Sequence, residues 1–221
     1  GDVIRARHGD NILIGDSGQI TAASVDGPQL VGLPLTIGQI ITTADGIGGA
    51  DQITSGSGQD IVLGGTDGDS INVGDGNNIV LGDSGRIDYT RAERETAVGA
   101  DTNPADIDLI VSLSTIAAGG GDLITTGTGS DIIIGGRFGD TINAGAGDNL
   151  VIGDSGRIVA TTSGGAGPAG QPITIERMET IEPDDGGNDT ITTLGGADII
   201  LGGMGSDTIL SLIHISEPTR P

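Results

Sequence analysis

Aspartate or asparagine recurs every nine residues in three runs: Asp51, Asp60, Asp69 and Asn78; Asp122, Asp131, Asp140 and Asn149; Asp189, Asp198 and Asp207. Asp2 and Asn11 form a fourth, partial run. Glycines such as Gly56 and Gly58, Gly64 and Gly65, or Gly127 and Gly129 come just before the acid. An aliphatic side chain stands two places after it, as at Ile53, Val62, Ile71, Val80, Ile124, Ile133, Ile142, Val151, Ile191, Ile200 and Ile209. Glycine admits turn conformations in which carbonyl oxygens converge. Carbonyls joined by carboxylates suit a hard cation that takes about 6–8 oxygens, as calcium does.

Two other chemistries compete for these residues. The tetrapeptide Gly15-Asp16-Ser17-Gly18 matches the surroundings of a protease nucleophile, but "GDSG" recurs in "NIVLGDSGRI" and "NLVIGDSGRI", and His8 and His214 are the only histidines. A serine nucleophile needs a base and an orienting acid in one place, so three equivalent copies read as turns. Paired carboxylates also serve glycosidases, yet these belong to repeats and form no unique set. The plainest alternative, that the aspartates only form turns, leaves their fixed phase with glycine and aliphatics unexplained. The chain is therefore read as non-enzymatic.

Composition narrows the classes further. One Phe, one Tyr, no Trp and 43 Gly mean a core of Ile, Val and Leu on closely spaced backbone. A net charge of −22 without a single lysine excludes nucleic acid and anionic membranes as partners. No apolar run approaches the ~20 residues of a membrane helix. Without cysteine there are no disulfides and few routes to zinc or iron–sulfur chemistry.

A longer unit of about 70 residues carries the ladders: 48–87 matches 119–158 nearly position for position, 186–209 is a shortened copy, and 1–20 is the tail of one. Between them lie insertions at 21–47, 88–118 and 159–185, with strand-like runs "LTIGQIITT" and "PITIERMETI". Loops of this length without structure are rare in compact domains, so they are expected to add coils or a flap. Their tips, "TSGGAGPAGQP" among them, read as exposed loops.

The nine-residue pattern resembles the haemolysin-type calcium-binding nonapeptide of the RTX family, GGxGxDxUx, most closely in "GGMGSDTIL" and "TGTGSDIII". "GGTDGDSIN" and "GGRFGDTIN" carry Asp67 and Phe138 at the fourth-position glycine, and "TLGGADIIL" has Leu194 at the second position. The resemblance implies an all-β fold, a right-handed parallel β-roll with 18-residue coils, and Ca2+ held between stacked turns. It pairs Asp51 with Asp69, Asp122 with Asp140 and Asp189 with Asp207 on one edge. Asp60 with Asn78 and Asp131 with Asn149 pair on the other, Asp198 lying beyond them, and this edge is weaker because Asn offers only a neutral carbonyl. Carboxylates at a coil spacing of ~4.8 Å repel one another, so calcium binding and folding should be coupled.

The outward residues test the coil independently. Ile61, Leu63, Ile79, Leu81, Ile132, Ile134, Leu150 and Ile152 flank alternate nonapeptides, while Gln52, Thr54, Ser70, Asn72, Thr125, Thr141 and Asn143 flank the others, with Leu123 breaking the polar set. One outer face is thus greasy and needs a cover, which the insertions are expected to supply. Counting nine past Asn11, Asn78 and Asn149 lands on Ile20, Ile87 and Ile158, so each ladder is expected to stop at its "GDSG".

Residues 210–221, "LSLIHISEPTRP", break from the pattern and resemble a translated sequencing adapter. They are set aside as a scar, and the chain is read as part of a larger bacterial protein. The resemblance implies type I export and an extracellular or cell-surface location. The expected role is a calcium-stiffened spacer or adhesive segment with a surface ligand. Its alternatives are the tail of a secreted toxin, protease, lipase or epimerase, and an ice-binding solenoid.

Overall fold

The computed structural model describes residues 1–27, 29–30, 32–44, 46–91, 103–113, 118–161 and 173–212. Short strands alternate between two parallel sheets. The first sheet contains β1 (Val3–Arg5), β5 (Gln52–Thr54), β7 (Ser70–Asn72), β11 (Leu123–Thr125), β13 (Thr141–Asn143), β17 (Thr190–Thr193) and β19 (Thr208–Ser211), in that order. The second runs β2 (Ile12–Ile14), β6 (Ile61–Gly65), β8 (Ile79–Asp83), β12 (Ile132–Gly136), β14 (Leu150–Asp154) and β18 (Ile199–Leu201). Each nonapeptide supplies one strand and one turn, because the glycines before the acid end every strand within a few residues. Two nonapeptides close an 18-residue coil, visible in the pairing of Ile53 with Ile71 and of Val62 with Val80. The central side chain of each strand points inward, since successive residues alternate faces. Ile53, Val62, Ile71, Val80, Ile124, Ile133, Ile142, Val151 and Ile191 form this closely packed inner core.

The stack does not stop at the insertions. β2 pairs with β6, β7 with β11, β8 with β12, β13 with β17 and β14 with β18, all parallel and in register. The insertions leave the roll as hairpins and return to the next coil. Their strands, β3 (Gly18–Ala22), β4 (Ile37–Thr42), β9 (Gly85–Asp88), β10 (Leu109–Ser112), β15 (Gly156–Ala160) and β16 (Ile175–Thr180), form a third sheet that is antiparallel throughout. Ile37, Ile40, Ile87, Ile110 and Ile158 of this layer pack on Ile61, Leu63, Ile79, Leu81, Ile132, Ile134 and Ile152 of the second sheet. The greasy face is thus covered by a sheet, and among the described residues the insertions add no coil to the roll. The outer face of the first sheet stays open, and Leu123 on it is half exposed.

Two details differ from the sequence reading. The chain passes from the roll to the third sheet inside "GDSG", at Ser84 and Ser155, so β9 and β15 begin before the repeat units end. Leu210 and Ser211 of the tail continue β19 and pair with β17, while His214, Glu217 and the tip "TSGGAGPAGQP" lie outside the described residues. Among the described residues no helix is long and apolar enough to cross a membrane.

Candidate metal centre

On the first edge, each turn runs from the second sheet to the first and ends in a ladder aspartate. Oδ1 of that aspartate accepts the backbone N–H of its counterpart one coil earlier: Asp69 from Asp51, Asp122 from Asp69, Asp140 from Asp122, Asp189 from Asp140 and Asp207 from Asp189, at 2.7–3.0 Å. Oδ2 of Asp51, Asp69, Asp122, Asp140 and Asp189 is buried without a hydrogen-bond partner. The turn's first residue is glycine, at Gly15, Gly64, Gly82, Gly135, Gly153 and Gly202. A Cβ on Gly82 would collide with Asp122 Oδ2 and the Gly135 carbonyl oxygen, and one on Gly64 or Gly135 would meet the same pair of groups in its own turn. Where a side chain would sit there is instead a cradle of carboxylate and carbonyl oxygens, and these atoms fit a hard cation.

Burial raises the carboxyl pKa along this column, and neighbouring aspartates add to the effect: Asp69 to about 8, Asp122 to about 10, Asp140 to about 9 and Asp189 to about 6. Left without a countercharge, Asp69, Asp122 and Asp140 prefer to hold protons at neutral pH. No three carboxylates or imidazoles converge on one point among the described residues, so backbone carbonyls must supply part of any ligand set.

The second edge alternates two kinds of turn. Asn78 accepts the Asp60 N–H at Oδ1, 3.0 Å, which fixes the orientation of its amide. Nδ2 then donates to the Gly74 and Gly76 carbonyls and to Asp131 Oδ1 at 3.0–3.2 Å. Asn149 donates likewise to the Gly147 carbonyl and Asp198 Oδ1, and Asn11 to the Gly9 carbonyl and Asp60 Oδ1. The sequence reading takes Asn78 and Asn149 as the weaker ligands of this edge; the structure adds the direction of their amides. Their amides point donors at the oxygens a cation would need. Asp60 and Asp131 keep an unpartnered, buried Oδ2, and burial raises Asp131 to about 6.

The model of the RTX calcium-binding nonapeptide repeat matches residues 1–19, 43–62, 54–86, 116–137, 125–157 and 184–210, more than half of the chain. The chain belongs to the RTX calcium-binding repeat family. No curated protein and no solved structure matches it. The parallel β-roll and the binding of calcium ions follow from that membership and from the fold. The family is a structural calcium-binding module, in keeping with the non-enzymatic reading.

The RTX ladder also crosses the insertions, where the sequence count ends it at "GDSG". The sixth position is filled from the far side, by Asp51, Asp122 and Asp189, at separations of 49 or 53 residues where 18 is the rule within an array. The first-edge turn is split there: Gly82 and Asp83 open it, and Gly119 to Asp122 complete it. Asp83 joins the halves, its Oδ1 accepting the Gly120 N–H at 3.0 Å and its Oδ2 the Arg137 N–H of the following coil at 2.5 Å. Asp16 does the same with Gly49 and Thr66, and Asp154 with Gly187 and Met204. Sequence reasoning missed these three residues. Their signal was the acid at a glycine position of the nonapeptide. Of the neighbouring serines, Ser155 Oγ donates to Asp185, and His8 lies against Ser57 on the surface.

Proposed function

We propose that the first-edge column Asp51, Asp69, Asp122, Asp140, Asp189 and Asp207 holds calcium together with the glycine carbonyls, and that Asp60, Asp131 and Asp198 hold it on the second edge. The observation that carries this is the row of buried, unpartnered Oδ2 atoms set against glycine cradles. Bound ions supply the countercharge for a chain of net charge −22, so the ordered roll is the calcium form and the free chain is loose.

The role we favour is a calcium-stiffened spacer or adhesive segment of a larger protein outside the cell. Two things support it: the roll is one unbroken stack across its insertions, and extracellular calcium modules work at ~10⁻⁴–10⁻³ M calcium. Titrating the chelated chain with calcium while recording circular dichroism tests the module. A gain of β signal and of resistance to urea is expected, and no change on adding calcium would refute it.

A further inference from the structure

On the second edge, the residue five places before the acid separates the two kinds of turn. Turns ending in Asp60, Asp131 and Asp198 begin with Ser55, Thr126 and Thr193, whereas those ending in Asn11, Asn78 and Asn149 begin with Ala6, Val73 and Ala144. First-edge geometry shows what this first position faces: a Cβ on Gly64, Gly82 or Gly135 would run into Oδ2 of that turn's own aspartate. A hydroxyl carried there is directed at the carboxylate.

Ser55 Oγ, Thr126 Oγ1 and Thr193 Oγ1 are buried without a hydrogen-bond partner, as are Asp60 Oδ2 and Asp131 Oδ2. The three hydroxyl residues are at most 8 % exposed, and Asp60 and Asp131 are fully buried. Thr126 reaches the Asp131 carboxyl as a weak side-chain hydrogen-bond partner that lowers its pKa against the larger effect of burial, but the contact falls short of a well-formed hydrogen bond and leaves Thr126 Oγ1 and Asp131 Oδ2 unsatisfied. Buried polar atoms are nearly always satisfied. At Ser55 with Asp60 and at Thr126 with Asp131 the orphans come in pairs, one hydroxyl and one carboxylate oxygen, whereas in the Thr193 turn Asp198 Oδ2 accepts from Ser211 Oγ at 3.4 Å. In the asparagine turns both partners are replaced, by an aliphatic group and a donating amide.

The asparagines also arrange the pair. Asn78 gives both its backbone N–H and its amide to Asp131 Oδ1, and Asn11 does so to Asp60 Oδ1, leaving Oδ2 for the hydroxyl side.

We propose that Ser55, Thr126 and Thr193 are calcium ligands, each completing a site with the carboxylate of Asp60, Asp131 and Asp198, so that the second edge takes ions at alternate turns only. A hydroxyl oxygen is a neutral, hard donor of the kind calcium accepts beside carboxylate. The amide of each intervening asparagine stands in for the ion by bonding the oxygens an ion would otherwise bridge.

The proposal rests on the calcium reading above, and calorimetric titration of the full chelated chain with calcium chloride separates the two. A wild-type chain that binds no calcium would sink both. If it binds, Thr126→Val is expected to lose one binding event or weaken it on the order of 10-fold or more, the scale of removing a partner from a metal site, while Thr126→Ser keeps it. The paired change Val73→Thr with Asn78→Asp is expected to add one event. If Thr126→Val does not fold in calcium, Ser55→Ala, which removes only an oxygen, decides. Wild-type ion number and half-saturation in every foldable hydroxyl-deleted variant would overturn the proposal.

Discussion

Calcium removal at different pH values exposes the first-edge column most directly. In the roll, Asp69, Asp122 and Asp140 have pKa values raised to about 8, about 10 and about 9, mainly by burial. In the unfolded chain a carboxyl titrates near ~3.9. At neutral pH, therefore, calcium-free folding takes up about three protons at these groups. Raised folded values place the stabilising contribution below the unfolded pKa, and it is lost as pH climbs through the folded values. The window runs from about 4 to about 10. Each proton is worth ~1.4 kcal/mol per pH unit, so the calcium-free roll should weaken by about 4 kcal/mol per unit between about pH 5 and pH 7. That rivals a typical total of ~5–15 kcal/mol, so chelated chain should be structured in mild acid and loose at pH 7.5. Calcium should reverse the trend by displacing the protons. Urea unfolding with a chelator at both pH values measures the first effect, and calorimetry in buffers of different ionisation enthalpy counts protons released on binding. A chelated chain more stable at pH 7.5 than at pH 5, or binding without proton release, would refute the reasoning.

Two further substitutions probe the first edge. Gly82→Ala places a methyl in the cradle formed by Asp122 Oδ2 and the Gly135 carbonyl, and should weaken calcium binding while the asparagine turns stay intact, read as loss of part of the ion number in equilibrium dialysis. Asp83→Asn keeps the size but replaces one of two acceptors with a donor facing a backbone N–H, which should cost about 1–3 kcal/mol and release protection of the Gly120 and Arg137 amides. Hydrogen exchange in saturating calcium checks this, with the Leu123 and Thr141 amides, bonded to Asp69 and Asp122 carbonyls, as unchanged references. Equal protection in variant and wild type would remove Asp83 from the role of joining the split turn.

Much of the roll was legible locally. The aliphatic two places after each acid is inward because a short strand alternates its faces, and the greasy and polar flanks alternate because a coil is two nonapeptides long. The cover of the greasy face was legible as a need but not as a form: antiparallel pairing of β4 with β9, and of β10 with β15, joins one hairpin to the next across an intervening array of the roll. The orientation of the asparagine amides was not legible, since a side chain with both an acceptor and a donor declares which it offers only when its neighbours are placed.

By itself, the sequence determined what repeats at close range: the turn, the strand, the coil length and the oxygen-rich chemistry of the acids, all set by residues within one nonapeptide. Tertiary structure alone decided that the column continues through the insertions. A nine-residue count fails at Ile20, Ile87 and Ile158 because an insertion has no fixed length. In the stack, what matters is which turn lies on which, and Asp16, Asp83 and Asp154 hold Asp51, Asp122 and Asp189 in the place the count left empty. The tetrapeptide that reads as the end of each array is the point where two distant segments are made into one turn.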